Sequence, residues 1–228
     1  MQTATLSDDK HRKLATLLLI GYLPFYLNGF YNPILQHTQW AFWAADIAIW
    51  IILPAALFTW GRRHDLYRWP EIGFNQQVGF GGPRWAFPIL LVIATPILFY
   101  LEKMSFTIAM DLAPPKPQEF SFGNEVQRQP SALVRLVKLI YFAFTAGFVE
   151  EIYMRGMMRR LFREDGAGPA LFIILSTLIF TFAHWENGAY GLTIAFMWGL
   201  MAAVFYEITR NLWPLILAHI LVDLVAFS

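Results

Sequence analysis

Three strings in the second half of the chain place ionisable side chains inside otherwise apolar sequence. They are FVEEIYMRG with Glu150, Glu151 and Arg155, FTFAHW with Phe180 and His184, and LAHILVD with His219 and Asp223. An acid, base or imidazole within a membrane-crossing segment is costly, so each marks a candidate functional position. Glu151 and Arg155 stand four residues apart with the acid first, the order that pairs best on a helix. Glu150 is turned about 100° from that pair and can point into a bundle interior. His219 and Asp223 share a face by the same spacing, and so do Phe180 and His184. Adjacent buried carboxylates do not both ionise cheaply. With Arg155 holding Glu151 charged, Glu150 is left to exchange a proton, as a general base must.

The depths of these groups agree. The break between the first two strings, EDGAGP, centres near Ala167, with Glu150 seventeen residues before it and His184 seventeen after. In an antiparallel helix pair both lie about 25 Å from the turn. The turn is basic (Arg159, Arg160, Arg163) and is expected to project from the lipid, leaving both groups near mid-membrane. His219 lies about 12 Å into its own helix. One carboxylate and two imidazoles at compatible depth leave two chemistries open. Glu150, His184 and His219 can form a two-histidine, one-carboxylate Zn2+ site with an open position for water, or the glutamate can act with no metal.

The elements that carry these groups are membrane helices. The chain has 228 residues, 57% hydrophobic and 14% charged, with a mean hydropathy of +0.46. Soluble domains carry about 25% charge, so this composition excludes a water-soluble enzyme and a disordered chain. A net charge of +1 gives no reason to expect a nucleic-acid partner. The absence of cysteine excludes disulfides and thiolate chemistry. Apolar blocks predict seven helical spans, near 14–34, 39–60, 84–104, 132–156, 168–187, 189–207 and 211–227, which makes the fold an all-α polytopic bundle. Trp40, Trp60, Trp85, Trp185 and Trp213 fall near block ends, as an interfacial belt does. Twelve of the seventeen lysines and arginines fall on the side of the N-terminus, which predicts a cytoplasmic N-terminus and an integral, multi-pass location. Lys103, Lys116 and Arg128 fall on the other side.

The three strings together resemble the motifs of the CPBP family, the CAAX proteases and bacteriocin-processing enzymes of the Abi type. The resemblance covers about 132–227, including Tyr206 and Arg210-Asn211-Leu212-Trp213-Pro214. It divides the chain into preceding helices over 1–131 and a protease core over 132–228. It implies an intramembrane endopeptidase acting on a membrane-associated peptide or protein substrate, a prenylated CAAX peptide being one class and an exported bacterial peptide another. Glu150 would activate water and His184 position it. His219 and Asp223 would stabilise the oxyanion, and Glu151, Arg155 and Phe180 would support them. The departure is Asp223, where many members carry asparagine; an aspartate donates a hydrogen bond only when protonated. Some relatives are non-proteolytic immunity or scaffold proteins, the alternative reading. A proton-coupled transporter ranks last, since no internal repeat is visible.

The remaining in-span charges read more simply. Asp46 is expected to be a satisfied bundle contact. Glu102 and Lys103 are expected to snorkel from a span end, as are Arg135 and Lys138, unless the latter pair meets an acidic substrate tail at the rim. Glu186 and Asn187 either cap a helix or line the site mouth. His11, His37 and His64 are expected in solvent.

Overall fold

The computed structural model describes residues 7–35, 38–76, 82–115, 126–127, 129, 131–164 and 168–228. Ala167, His37, Lys116 and Arg128 lie outside them. Among the described residues there is no strand, and the seven expected helices are all present. They are α1 (Asp8–Leu35), α2 (Gln39–Ile47, continued by Ala48–Ile52 and Leu53–Arg63) and α3 (Ala86–Leu112). Then come α4 (Ala132–Glu151, continued by Ile152–Met157 and Met158–Glu164), α5 (Pro169–Phe182), α6 (Gly188–Thr209) and α7 (Trp213–Ala226). The first four and α6 are long and apolar enough to cross a membrane. At 14 residues each, α5 and α7 reach only about 21 Å, short of the hydrocarbon thickness. Large apolar side chains such as Leu19, Val92, Leu133 and Ile208 face outward, a surface suited to lipid.

Two helices widen into π turns where the sequence requires it. In α2 the widened turn Ala48–Ile52 precedes Pro54, whose ring would otherwise strike the carbonyl of Trp50. In α4 the widened turn Ile152–Met157 directly follows Glu150 and Glu151, and all six of its residues are buried. Carbonyls displaced there find side-chain donors. Tyr22 Oη donates to Tyr153 O at 3.1 Å, and Ser176 Oγ donates to Met154 O at 2.8 Å.

Local signals start and stop the helices around the site. Ser131 caps α4, its Oγ accepting from Val134 N at 3.2 Å. A proline stands in the first turn of both α5 and α7, where the missing N–H costs nothing. Arg210, at φ +53°, ends α6 in the left-handed region. The segment that follows α2 packs inward. Ile72 is fully buried, Gly73 O accepts from Leu212 N at 3.0 Å, and Asn211 Nδ2 donates to Asn75 O at 3.0 Å. That segment therefore anchors the α6–α7 turn and sets the height of α7.

Two of the span ends that differ from expectation shape the site; α4 also runs on to Glu164, eight residues past position 156. α3 runs eight residues past position 104, because the apolar run FTIAM continues beyond Lys103. α5 stops at Phe182, and the chain reverses through a 3-10 turn, Trp185–Asn187, with Gly188 at φ +64°. His184 thus sits at a helix end in a turn, where 168–187 had been expected to form one continuous span.

Candidate active site

Glu150 and His184, equidistant in sequence from the α4–α5 turn, do meet in space. Glu150 Oε2 lies 4.0 Å from His184 Nε2 and 4.0 Å from His219 Nε2. Glu150 is buried, and this oxygen has no hydrogen-bond partner. α4 and α7 come together because Gly147, one turn before Glu151, leaves room for Ile216 and Ile220.

Each imidazole is oriented by its other nitrogen. His184 Nδ1 lies 2.9 Å from Phe180 O; a carbonyl only accepts, so Nδ1 carries the proton and Nε2 faces Glu150. His219 Nδ1 lies 2.9 Å from Glu151 Oε1. Arg155 Nη1 and Trp198 Nε1 donate to the same oxygen, each at 3.2 Å. Asp223 Oδ2 is 3.7 Å from His219 Nε2, one helical turn along α7. The Phe180 ring lies 4.6 Å from the His184 ring, and the Arg155 guanidinium stands over its face at 4.4 Å. Phe180 therefore packs between the two parts of the site.

The set does not fit a zinc ion as it stands. A tetrahedral centre with bonds of about 2.0–2.1 Å has ligand atoms about 3.4 Å apart. Both separations from Glu150 Oε2 are 4.0 Å, and among the described residues no three acidic or imidazole groups converge on one point.

A cavity of about 540 Å³ opens beside these groups. Its wall includes Glu150, His184, His219, Asp223, Phe180 and Trp198, and also Asp46, Glu102, Glu186 and Asn187. Every lining stretch comes from the bundle half away from the N-terminus. The opposite half is filled by Leu14, Leu17, Tyr67, Ile72, Met157 and Leu212.

Several groups differ from their expected places. Glu102 does not snorkel: it is buried on the cavity wall, midway along a helix longer than expected. Lys138 is not at the rim but fully buried, with Phe42, Trp43 and Phe142 rings 4.7, 5.3 and 5.7 Å from its Nζ. Apolar residues on both sides of Lys138 in the sequence hid this aromatic cage. Arg135 keeps to the helix start, donating to Gln129 O at 3.0 Å. Trp198 was missed altogether. Its signal was a tryptophan in mid-helix, away from any interface, whose N–H needs an acceptor when buried.

Residues 132–225 match a family model described as type II CAAX prenyl endopeptidase, Rce1-like. Comparison with curated proteins and with solved structures gave no match. The matched stretch starts with α4, ends within α7 and includes all three motifs, in agreement with the CPBP resemblance. Residues 132–225, from α4 into α7, are thus the part of the chain that is similar to the type II CAAX prenyl endopeptidase, Rce1-like family.

Proposed function

We propose that the chain is an intramembrane endopeptidase in which Glu150 activates the attacking water. One observation carries the reading: the unpartnered Glu150 Oε2 faces two imidazole nitrogens, each 4.0 Å away, on the wall of a cavity. That gap is too long for a direct hydrogen bond. It suits one water held by two bonds of about 2.8 Å. His184 Nε2 accepts from this water and aims it. Glu150 takes its proton as the hydroxide oxygen bonds to the peptide carbonyl carbon. His219, donating Nδ1–H to Glu151, presents Nε2–H to the oxyanion. Glu150 then returns its proton to the leaving nitrogen as the C–N bond breaks, giving a carboxylic acid and an amine.

The supporting residues have distinct tasks. Glu151 holds the His219 ring, and Arg155 balances the Glu151 charge. Asp223 sets the field at His219 Nε2. Lipid-facing side chains and the depth of the site favour a substrate held in or at the membrane. With the N-terminus in the cytoplasm, the cavity lies in the half of the bundle nearer the opposite face, which favours an extracytoplasmic substrate.

The test compares new protein termini, by mass spectrometry, in membranes from cells expressing wild type or Glu150→Gln. Termini present with wild type and absent with the stably expressed variant are expected. Identical termini from both would sink the assignment of Glu150.

A further inference from the structure

The described acidic and basic residues on the cavity wall outside the three motifs all carry carboxyls. Asp46, Glu102 and Glu186 join Glu150 and Asp223 there, and no lysine or arginine is among the described residues that line it. Glu102 and Asp46 are 4% and 2% exposed, and Glu102 Oε2 and Asp46 Oδ2 receive no hydrogen bond. A buried carboxylate oxygen with no donor carries a desolvation cost that an incoming donor removes. Asp46 lies within electrostatic reach of the Lys138 ammonium. The groups acting on Glu102 are His219, Asp223, Glu151 and Arg155, and Arg155 is already bonded to Glu151. His219 in turn has Glu150, Glu151 and Asp223 around it. Among the described residues, Glu102 therefore has no lysine or arginine of its own at the reaction centre. It stands on α3, outside the 132–225 domain, on a helix that packs against α6 and α7.

We propose that this cavity binds a substrate segment with a lysine or arginine next to the scissile peptide, and that Glu102 accepts from it. Either head group brings several N–H donors to a buried carboxylate, the stronger class of hydrogen bond. A free C-terminal carboxylate, by contrast, meets five carboxyl groups and, among the described residues, no lysine or arginine on that wall. The place of this cation beside the cleaved bond rests on the endopeptidase reading; its binding does not.

The experiment separates the two. N-palmitoylated, fluorescein-labelled decapeptides that differ only in a central lysine, norleucine or glutamate are titrated by anisotropy against detergent-solubilised Glu150→Gln protein. The lysine peptide is expected to bind at least about tenfold tighter than the norleucine peptide, with the glutamate peptide weakest. Adding Glu102→Gln should bring the lysine-to-norleucine ratio to about one. On protein with Glu102 intact, n-butylguanidinium should displace the lysine peptide while n-butanol at the same concentration does not, an arm that needs no further variant to fold. Equal binding of the lysine and norleucine peptides, or a preference that survives in folded Glu102→Gln, overturns the site. Identical termini from wild type and Glu150→Gln would overturn the endopeptidase reading instead and leave this binding result standing.

Discussion

His219 Nδ1 lies 2.9 Å from Glu151 Oε1, across the α4–α7 contact and 68 residues apart in sequence. With Arg155 and Trp198 on the same oxygen, one buried carboxylate atom collects three donors from three helices. This arrangement points the second nitrogen of His219 at the cavity.

Removing one member of this cluster leaves a buried charge uncompensated. Arg155→Met is expected to lower stability by about 3–5 kcal/mol. Trp198→Phe keeps the ring but deletes one donor to a charged acceptor, and should cost less, about 2 kcal/mol. Melting of the purified proteins in detergent checks the order. Equal melting temperatures for Arg155→Met and wild type would show that the cluster does not hold the helices.

At Gly147 the α4 backbone packs directly against α7. A Cβ there would meet Ile220 Cγ1 at 2.6 Å and Ile216 O at 3.3 Å. Gly147→Ala is expected to cost about 1–3 kcal/mol and to separate Glu150 from His219, so melting temperature and peptide hydrolysis fall together. Gly168→Ala, with nothing within 4 Å of the added carbon, serves as the control and should stay within about 0.5 kcal/mol. Full activity in Gly147→Ala would mean that this contact does not set the site.

Asp223 stands 3.7 Å from His219 Nε2. Asp223→Asn supplies an N–H where the family resemblance places one, so hydrolysis should persist or rise. Asp223→Ala should lower kcat by about tenfold to a hundredfold, with a smaller change in KM. If the alanine variant matches wild type, residue 223 has no part in stabilising the oxyanion.

The chain has no cysteine, so single substitutions report topology cleanly. Ser131→Cys and Ser228→Cys should react with a membrane-impermeant maleimide in intact cells. Ser7→Cys should react only after permeabilisation. The reverse pattern would put the cavity nearer the cytoplasmic face and move the proposed substrate there too.

Much of the site was legible because its pairs are local. On a helix the spacing of residues fixes their angle and rise, so Glu151 with Arg155, His219 with Asp223 and Phe180 with His184 could be paired from position alone. The Glu150–His184 meeting was legible for a related reason: two antiparallel helices share a turn, and equal distances along them bring residues level. Glu102 and Lys138 were not. Near an expected span end a long charged side chain can reach water, and only the true helix length and the rings around Lys138 removed that escape.

Composition by itself determined an all-helical membrane protein of seven helices, since burial in lipid leaves the backbone no other choice, and motif spacing paired residues within single helices, since helical geometry is local. Tertiary structure alone decided that Glu151 meets His219, that Trp198 joins them, that α5 stops short of His184 and that Glu102 looks into the same cavity. The physical reason is the solvent. In water, hydrophobic periodicity tells which face of a helix turns inward; in a bilayer the lipid-facing and core-facing sides are both apolar. Helix faces here are chosen by packing, by Gly147 and by buried hydrogen bonds, which exist only once the helices have met.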